Sequence, residues 1–332
     1  MTWLVTGGAG YIGSHVVRRL SESGYSSVVF DDLTSGTENR VPDGVPLVSG
    51  NLGDRDTLTS AMREHGVTGV INLAARKSVP ESVERPLWYY EQNVGGFITL
   101  LEAMEDAGVR HLVQSSSAAV YGAASGDALR EDVPVTPISA YGQTKLMAEH
   151  ILADVAPAQD LSYLALRYFN PVGAAAPELA EVGGANVIAV LFRAIDAGEP
   201  FTLTGADFDT RDGSGLRDYI HILDLAEAHV AAVAHVESNT VRDVLNIGTG
   251  RGYTVMELLE TVRAVTGLPV PHEVVGRRPG DTAGAAANVD KATRLLDWRA
   301  SRDLKDMVAS AWKMWRAQHD GTAWSTAPSG RA

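Results

Sequence analysis

Seven short apolar runs, at residues 3–6, 28–30, 45–48, 70–73, 111–114, 163–166 and 244–247, punctuate the chain. Several are apolar at successive positions, the pattern of strands buried on both faces. Between them Val16, Val17 and Leu20, and again Ile98, Leu101 and Met104, recur at the spacing of helices with one apolar face. This alternation predicts an α/β fold on a doubly wound parallel sheet, with ligands outside the carboxyl ends of its strands. After about residue 168 the rhythm breaks into stretches rich in Pro, Gly and Ala. Residues 1–167 with about 216–249 are therefore expected to form the sheet domain. About 168–215 and 250–316 are expected to form a smaller, discontinuous C-terminal domain, and 321–332 a flexible tail.

The composition narrows the function classes. A chain of 332 residues with 45% apolar and 21% charged residues is neither disordered nor fibrous. Its 41 acidic against 28 basic residues, a net charge of −13, argue against nucleic-acid binding through a broad basic face and against a polybasic membrane anchor. Cysteine is absent, which excludes disulfides, thiolate zinc sites and cysteine nucleophiles, and the nine histidines show no metal-ligand spacing, so no metal is expected. No apolar run reaches the ~18 residues that span a bilayer. The opening Met1-Thr-Trp-Leu-Val-Thr-Gly-Gly has no basic leader. The expectation is a cytoplasmic protein.

Two motifs carry chemistry. Thr6-Gly7-Gly8-Ala9-Gly10-Tyr11-Ile12-Gly13 joins the first run to the first helix. Glycines there let the backbone turn tightly against a pyrophosphate, which meets the free amides and positive dipole end of the helix. Asp31 follows 18 residues after Gly13, at the end of the second run. An acid at that place accepts from both ribose hydroxyls of NAD and repels the 2′-phosphate of NADP; Asp32 reads equally as a loop residue or a ligand. The second motif, Tyr141-Gly-Gln-Thr-Lys145, puts a phenol and an ammonium on one helix face. Such a pair is common by chance. Joined to the dinucleotide turn at the same sheet edge, it reads as a base whose phenolate a cation favours. Ser117, just past the fifth run, can bond the same substrate oxygen.

These segments resemble the extended short-chain dehydrogenases/reductases, and most closely the UDP-glucose 4-epimerase family. The matching stretches are Thr6–Gly13, Lys77 with Glu81-Ser82, Asn93-Val94, residues 115–122, Tyr141 with Lys145, Arg167-Tyr-Phe-Asn-Pro, Arg217-Asp-Tyr-Ile-His221 and Arg278-Pro-Gly-Asp281. The resemblance implies a Rossmann domain with a smaller substrate domain. It implies that Gly7, Gly10, Tyr11, Ile12, Gly13, Asp31, Asp32, Leu33, Thr34, Ser35 and Gly36 follow the backbone and adenosine of NAD, with Asn51 and Leu52 near adenine. Leu73, Ala74 and Ala75 through Lys77, with Asn93 and Phe169, would line the nicotinamide half beside the catalytic Ser117, Tyr141 and Lys145. Asn170, Asn186, Arg217, Arg278, Asp281 and Ala285 match nucleotide-sugar positions, the two arginines suiting a diphosphate.

The implied reaction is transient oxidation at C4 of a UDP-hexose, rotation of the 4-keto sugar and return of the hydride, with NAD retained. A homodimer is implied as well. The chain departs from the family pattern at several places. Asn51 stands where Asp is frequent, and Thr204 where an aromatic often stacks on uracil. The loop 174–185 is shorter than in some relatives, and Ala285 replaces a bulkier residue. A 4,6-dehydratase would need an Asp-Glu pair where Ala118 and Ala119 stand. A nucleotide-4-ketosugar reductase would use the same three catalytic residues, and a non-catalytic NAD-sensing protein would commonly lose Tyr or Lys.

Overall fold

The structure, a computed structural model, describes residues 1–124, 126–181, 186–277 and 281–319. The chain begins β1 (Thr2–Thr6), α1 (Tyr11–Glu22), β2 (Ser26–Asp31), β3 (Leu47–Ser49), α2 (Arg55–Glu64), β4 (Val67–Asn72). Next, α3 (Val79–Glu84) and α4 (Pro86–Tyr89) lead through a π-helical stretch, Tyr90–Gly95, into α5 (Gly96–Ala107) and β5 (His111–Ser115). Then come β6 (Gly126–Leu129), α6 (Ala140–Ala158), β7 (Ser162–Tyr168), β8 (Asn170–Val172), α7 (Val187–Ala197), β9 (Phe201–Thr204) and β10 (Leu216–His221). The last elements are α8 (Ile222–Ser238), β11 (Arg242–Ile247), β12 (Gly252–Thr254), α9 (Val255–Thr266), β13 (His272–Val275), β14 (Ala285–Ala287), α10 (Asp290–Leu296) and α11 (Leu304–His319).

Seven strands form one parallel sheet in the order β11-β7-β5-β4-β1-β2-β3. Leu4 beside Val5, Val70 beside Ile71 and Leu112 beside Val113 are all fully buried, because helices cover both faces. On one face Val5, Ile71 and Val113 meet Val16, Val17 and Leu20 of α1 and Leu225 and Val233 of α8. On the other, Leu4, Val70 and Leu112 meet Leu58 of α2, Leu100 and Leu101 of α5 and Leu152 of α6. The third strand begins later than the run 45–48 suggested: Pro46 has no amide hydrogen to donate, and the ladder starts at Leu47. Strand order reverses around β1, which lies between β4 and β2 and places a crevice at its carboxyl end.

A separate core gathers Phe192 of α7, Tyr219 of β10, Leu258 and Val262 of α9, and Met307, Val308 and Trp315 of α11. Around it run the sheet β12-β10-β8 and the pair β13-β9, while β14 pairs with β6 nearer the large sheet. Within residues 250–316, Ala292 and Leu296 of α10 pack on the large-sheet side. Among the described residues no helix is long and apolar enough to cross a membrane.

Candidate active site

The turn after β1 is dictated by close approaches. Gly7 lies at φ +70°, and a Cβ there would stand 2.8 Å from the Ala74 amide nitrogen. At Gly13 a Cβ would stand 2.1 Å from the Gly7 carbonyl oxygen, so neither place admits a side chain. Gly10 caps α1 without a side-chain bond, which leaves the first-turn amides and the positive helix end at the crevice that Tyr11 and Ile12 line.

This cleft has a volume of about 850 Å³. Gly7, Gly10, Tyr11, Ile12, Gly13, Asp31, Asp32, Ser35, Asn51, Leu52, Leu73, Ala74, Ala75, Lys77 and Asn93 all line it. So do Phe30 within β2, Gly50 after β3 and Gln92 in the π-helical stretch, to which the sequence assigned no part; no motif marks them. Leu33, Thr34 and Gly36 do not line it. Leu33, at φ +55°, packs toward the core, and Gly36 lies against Ala9. Thr34 is exposed and donates its amide to Asp32 Oδ1 at 3.0 Å. Asp31 is buried. Its Oδ2 accepts from Ala9 N–H at 2.9 Å and its Oδ1 from Leu33 N–H at 2.8 Å. Burial raises its pKa while these two bonds lower it, so the acid both faces the cleft and clamps the glycine turn. A bare backbone turn, free helix amides and a fixed acid suit the diphosphate and ribose of a dinucleotide.

Helix α6 starts at Ser139, whose side chain accepts from Gly142 N–H, and this start sets Tyr141 and Lys145 in its first turns. Burial raises the pKa of the Tyr141 phenol, and a hydrogen bond with Ser117 lowers it. The Lys145 ammonium stands 5.9 Å from the Tyr141 ring centroid and bonds Ser115 instead, at 3.0 Å to its carbonyl and 3.1 Å to its hydroxyl. This differs from a direct Lys-to-phenol contact: Ser115 holds the ammonium beside the ring. Burial lowers Lys145 to about 8, with the Glu149 charge opposing that shift. Ser115 Oγ also lies 2.5 Å from the Tyr168 hydroxyl, which joins β5, α6 and β7 at one point.

A buried ion pair lies one helical turn beyond the lysine. Arg167 of β7 donates from Nη2 to Glu149 Oε2 at 2.6 Å and from Nε to Oε1 at 2.9 Å, and both side chains are almost fully buried. Ser116 Oγ donates to Glu149 Oε1 at 2.5 Å. Arg167 Nη1 donates to Tyr121 Oη at 3.0 Å, and Tyr121 Oη to Asn246 Oδ1 at 2.6 Å. Glu149 therefore grips the residue between Ser115 and Ser117. Its place four residues after Lys145 was the available signal.

Ser117, Tyr141, Phe169, Asn170, Arg217, Asp281 and Ala285 line a second cavity of about 1020 Å³. Phe169 thus falls here rather than in the first cleft. Asn170, Arg217 and Asp281 also line a third, of about 1680 Å³, that reaches Asn186, Thr204 and Phe208, so the two spaces adjoin. Asn186 accepts from Ile188 N–H at 3.0 Å as the cap of α7 and donates to Glu181 Oε2 at 2.8 Å, so much of its amide serves the fold. Beside Arg217, the fully buried Asp218 accepts from the amides of Thr249 at 2.9 Å, Gly250 at 3.0 Å and Ala287 at 3.1 Å. That carboxylate locks β10, and with it Arg217, to the strand that carries Ala285. Arg278 lies outside the described residues. Among the described residues no group of three or more His, Asp or Glu is placed to hold a metal ion.

Known proteins are similar to this chain along most of its length. The model of the NAD dependent epimerase/dehydratase family matches residues 3–248. The UDP-glucose 4-epimerase of Lactobacillus helveticus is 40% identical over 96% of this chain and 98% of its own. That of Bacillus subtilis is 42% identical over 96% and 98%. A crystal structure of UDP-glucose-4-epimerase from Stenotrophomonas maltophila, with bound NAD and formylated UDP-arabinopyranose, superposes with a TM-score of 0.93 at 39% identity, covering 97% of this chain and all of that one. A glycine turn closed against Ala74, a tyrosine and lysine on one helix, and this likeness along both chains lead to one conclusion: the chain belongs to the NAD dependent epimerase/dehydratase family, in its UDP-glucose 4-epimerase branch.

Proposed function

We propose that the protein interconverts the C4 epimers of a UDP-hexose, UDP-glucose and UDP-galactose, with NAD as resident cofactor. The observation that carries this reading is the Tyr141 phenol beside Ser117 at the wall of a cavity that also holds Arg217, Asp281 and Ala285. NAD, when bound, would supply the hydride acceptor and donor for C4. The first-turn amides of α1, Asp31 and the strand ends from Leu73 to Lys77 hold it. Tyr141 takes the proton of the sugar 4-hydroxyl and later restores it, while Ser117 keeps that oxygen in place. Lys145 favours the phenolate through space. Arg217 binds the diphosphate, and with Asn170 and Asp281 it keeps the nucleotide fixed while the 4-keto sugar turns. Ala118 and Ala119, in the short helix after β5, offer no acid or base for the elimination a dehydratase performs. Incubation of the protein with UDP-galactose alone tests the reading. UDP-glucose should form to equilibrium with no NADH added or accumulated; a protein that forms none, yet consumes added NADH stoichiometrically on a nucleotide-4-ketosugar, would be a reductase.

The sugar pocket extends the reading to N-acetylated substrates. Ala285 presents only a methyl group to the cavity shared with Tyr141 and Arg217. Neither Trp88 nor Tyr89 refills that space: both rings pack with each other, and Tyr89 donates to Glu81 at 2.9 Å. Clearance beside the turning sugar leaves room for an acetamido group at C2. Ala285→Tyr should cost the acetylated substrate more than tenfold in kcat/KM, since overpacking costs ~1–3 kcal/mol, and leave UDP-galactose turnover much less affected. Assays on UDP-galactose and UDP-N-acetylgalactosamine check this, and equal losses on both would refute it.

The division into a cofactor domain and a nucleotide-sugar domain belongs to the same proposal, as do a cytoplasmic place and a role in galactose metabolism. So does a homodimer. Ile98 of α5 and Met147 of α6 are 43% and 40% exposed on helices covering one face of the sheet, with Leu87 of α4 at 83%. Sedimentation velocity should give twice the chain mass of 35.3 kDa.

A further inference from the structure

We infer that Arg76 and Asp32 form a clasp across the dinucleotide groove, and that this ion pair governs how fast the cofactor enters and leaves. The inference rests on the NAD reading above. Asp32 follows β2 and Arg76 follows β4, and β1 with its glycine turn lies between those two strands. Their side chains therefore cross two strand spacings, about 9.5 Å of sheet, to meet. They meet with Arg76 Nη2 donating to Asp32 Oδ2 at 2.7 Å, and both residues line the cleft.

Each end is anchored. The Arg76 amide donates to Asn93 Oδ1 at 2.8 Å, and Asn93 Nδ2 donates back to the Arg76 carbonyl at 3.0 Å. Asn93 is tied in turn to Thr144 of α6 at 3.1 Å. The Arg76 guanidinium also stands 5.3 Å from the Trp88 ring, whose centroid is 4.0 Å from the guanidinium carbon of Arg85. On the other side Asp32 Oδ1 accepts from Thr34 N–H, and Asn51 Nδ2 points to Asp32 Oδ2 at 3.4 Å. Burial raises the Asp32 pKa, but the bonds from Thr34 and Arg76 outweigh it and hold the carboxyl below its ordinary range. The Asp32 carboxylate is thus charged at neutral pH.

The consequence is kinetic. Arg76 and Asp32 keep 20% and 29% side-chain exposure, so solvent reaches the pair and it can open. Closed, it bridges the loops on either side of the glycine turn, and a dinucleotide lying on that turn passes only when the bridge parts. An epimerase needs the same cofactor through both hydride transfers, and a clasp serves that need. A residue that merely touched the cofactor would change release alone; a clasp changes entry and release together.

Fluorescence of protein-bound NADH tests this. The protein is loaded with NADH and chased with excess NAD for release, and mixed with NADH by stopped flow for entry. Arg76→Leu and Asp32→Asn should each speed both rates tenfold or more, with a smaller change in Kd. Raising KCl should speed release from the parent protein and leave Arg76→Leu unmoved. Unchanged rates in both variants would overturn the clasp, and so would faster release with unchanged entry. A parent protein that takes up no NADH would overturn the cofactor reading itself, an outcome distinct from parent-like rates in the variants.

Discussion

Tyr141→Phe is expected to lower kcat by ~10²–10⁴-fold, the range a positioned acid–base group contributes, while NAD stays bound. The ring keeps its packing at the start of α6, so the loss isolates the phenolic oxygen. The geometry explains why that oxygen must be assisted. Burial raises its pKa, Ser117 offers one bond, and the Lys145 ammonium stands 5.9 Å from the ring centroid, bonded to Ser115. The parent rate should therefore rise with pH as the phenol ionises, whereas the residual rate of Tyr141→Phe should be flat. Steady-state assays from acid to mildly alkaline pH check both expectations. A variant within a few-fold of the parent would remove Tyr141 from the reaction.

The second large effect concerns Glu149. Glu149→Ala leaves the Arg167 guanidinium buried with its carboxylate gone, a change that costs about 3–5 kcal/mol. A fall in Tm of about 5–10 °C should follow. The variant also frees the Ser116 hydroxyl, and so loosens the side-chain hold between Ser115 under Lys145 and Ser117 beside Tyr141. A double variant, Glu149→Met with Arg167→Leu, separates the two consequences. It removes both charges, so stability should largely return, because apolar replacements of a buried pair are often neutral. Its kcat should stay depressed at least tenfold, since the Ser116 hydroxyl then has lost its carboxylate acceptor and only the bond from its amide to the Leu166 carbonyl, at 2.9 Å, remains. Thermal melts and kcat for the three proteins decide the matter. A double variant with parent kcat would make the pair purely structural.

The large sheet was legible because its strands are buried on both faces and read as continuous apolar runs. Val5, Ile71 and Val113 announce themselves in that way. The glycine turn was legible because close backbone approach leaves no alternative residue at Gly7 or Gly13. The short strands were not. β8, β12 and β14 have three residues each, too few for any alternation to show, and they exist through contacts to β10 and β6 far along the chain. The Asp32–Arg76 bridge was hidden for a related reason. Its partners lie 44 residues apart, and only the strand order brings them to facing lips of one groove. Sequence spacing also placed Lys145 correctly on the helix with Tyr141, but it could not show that Ser115 takes up its ammonium.

Transfer of a label tests the central claim, reversible oxidation at C4, most directly. UDP-galactose carrying deuterium at C4 is incubated with the protein in ordinary water, and the UDP-glucose formed is analysed by NMR. The account predicts that deuterium remains at C4 in full, because the hydride that leaves the sugar is the one that returns. Loss of the deuterium to solvent would contradict it, since C4 would then have been inverted by removal and return of a proton on carbon.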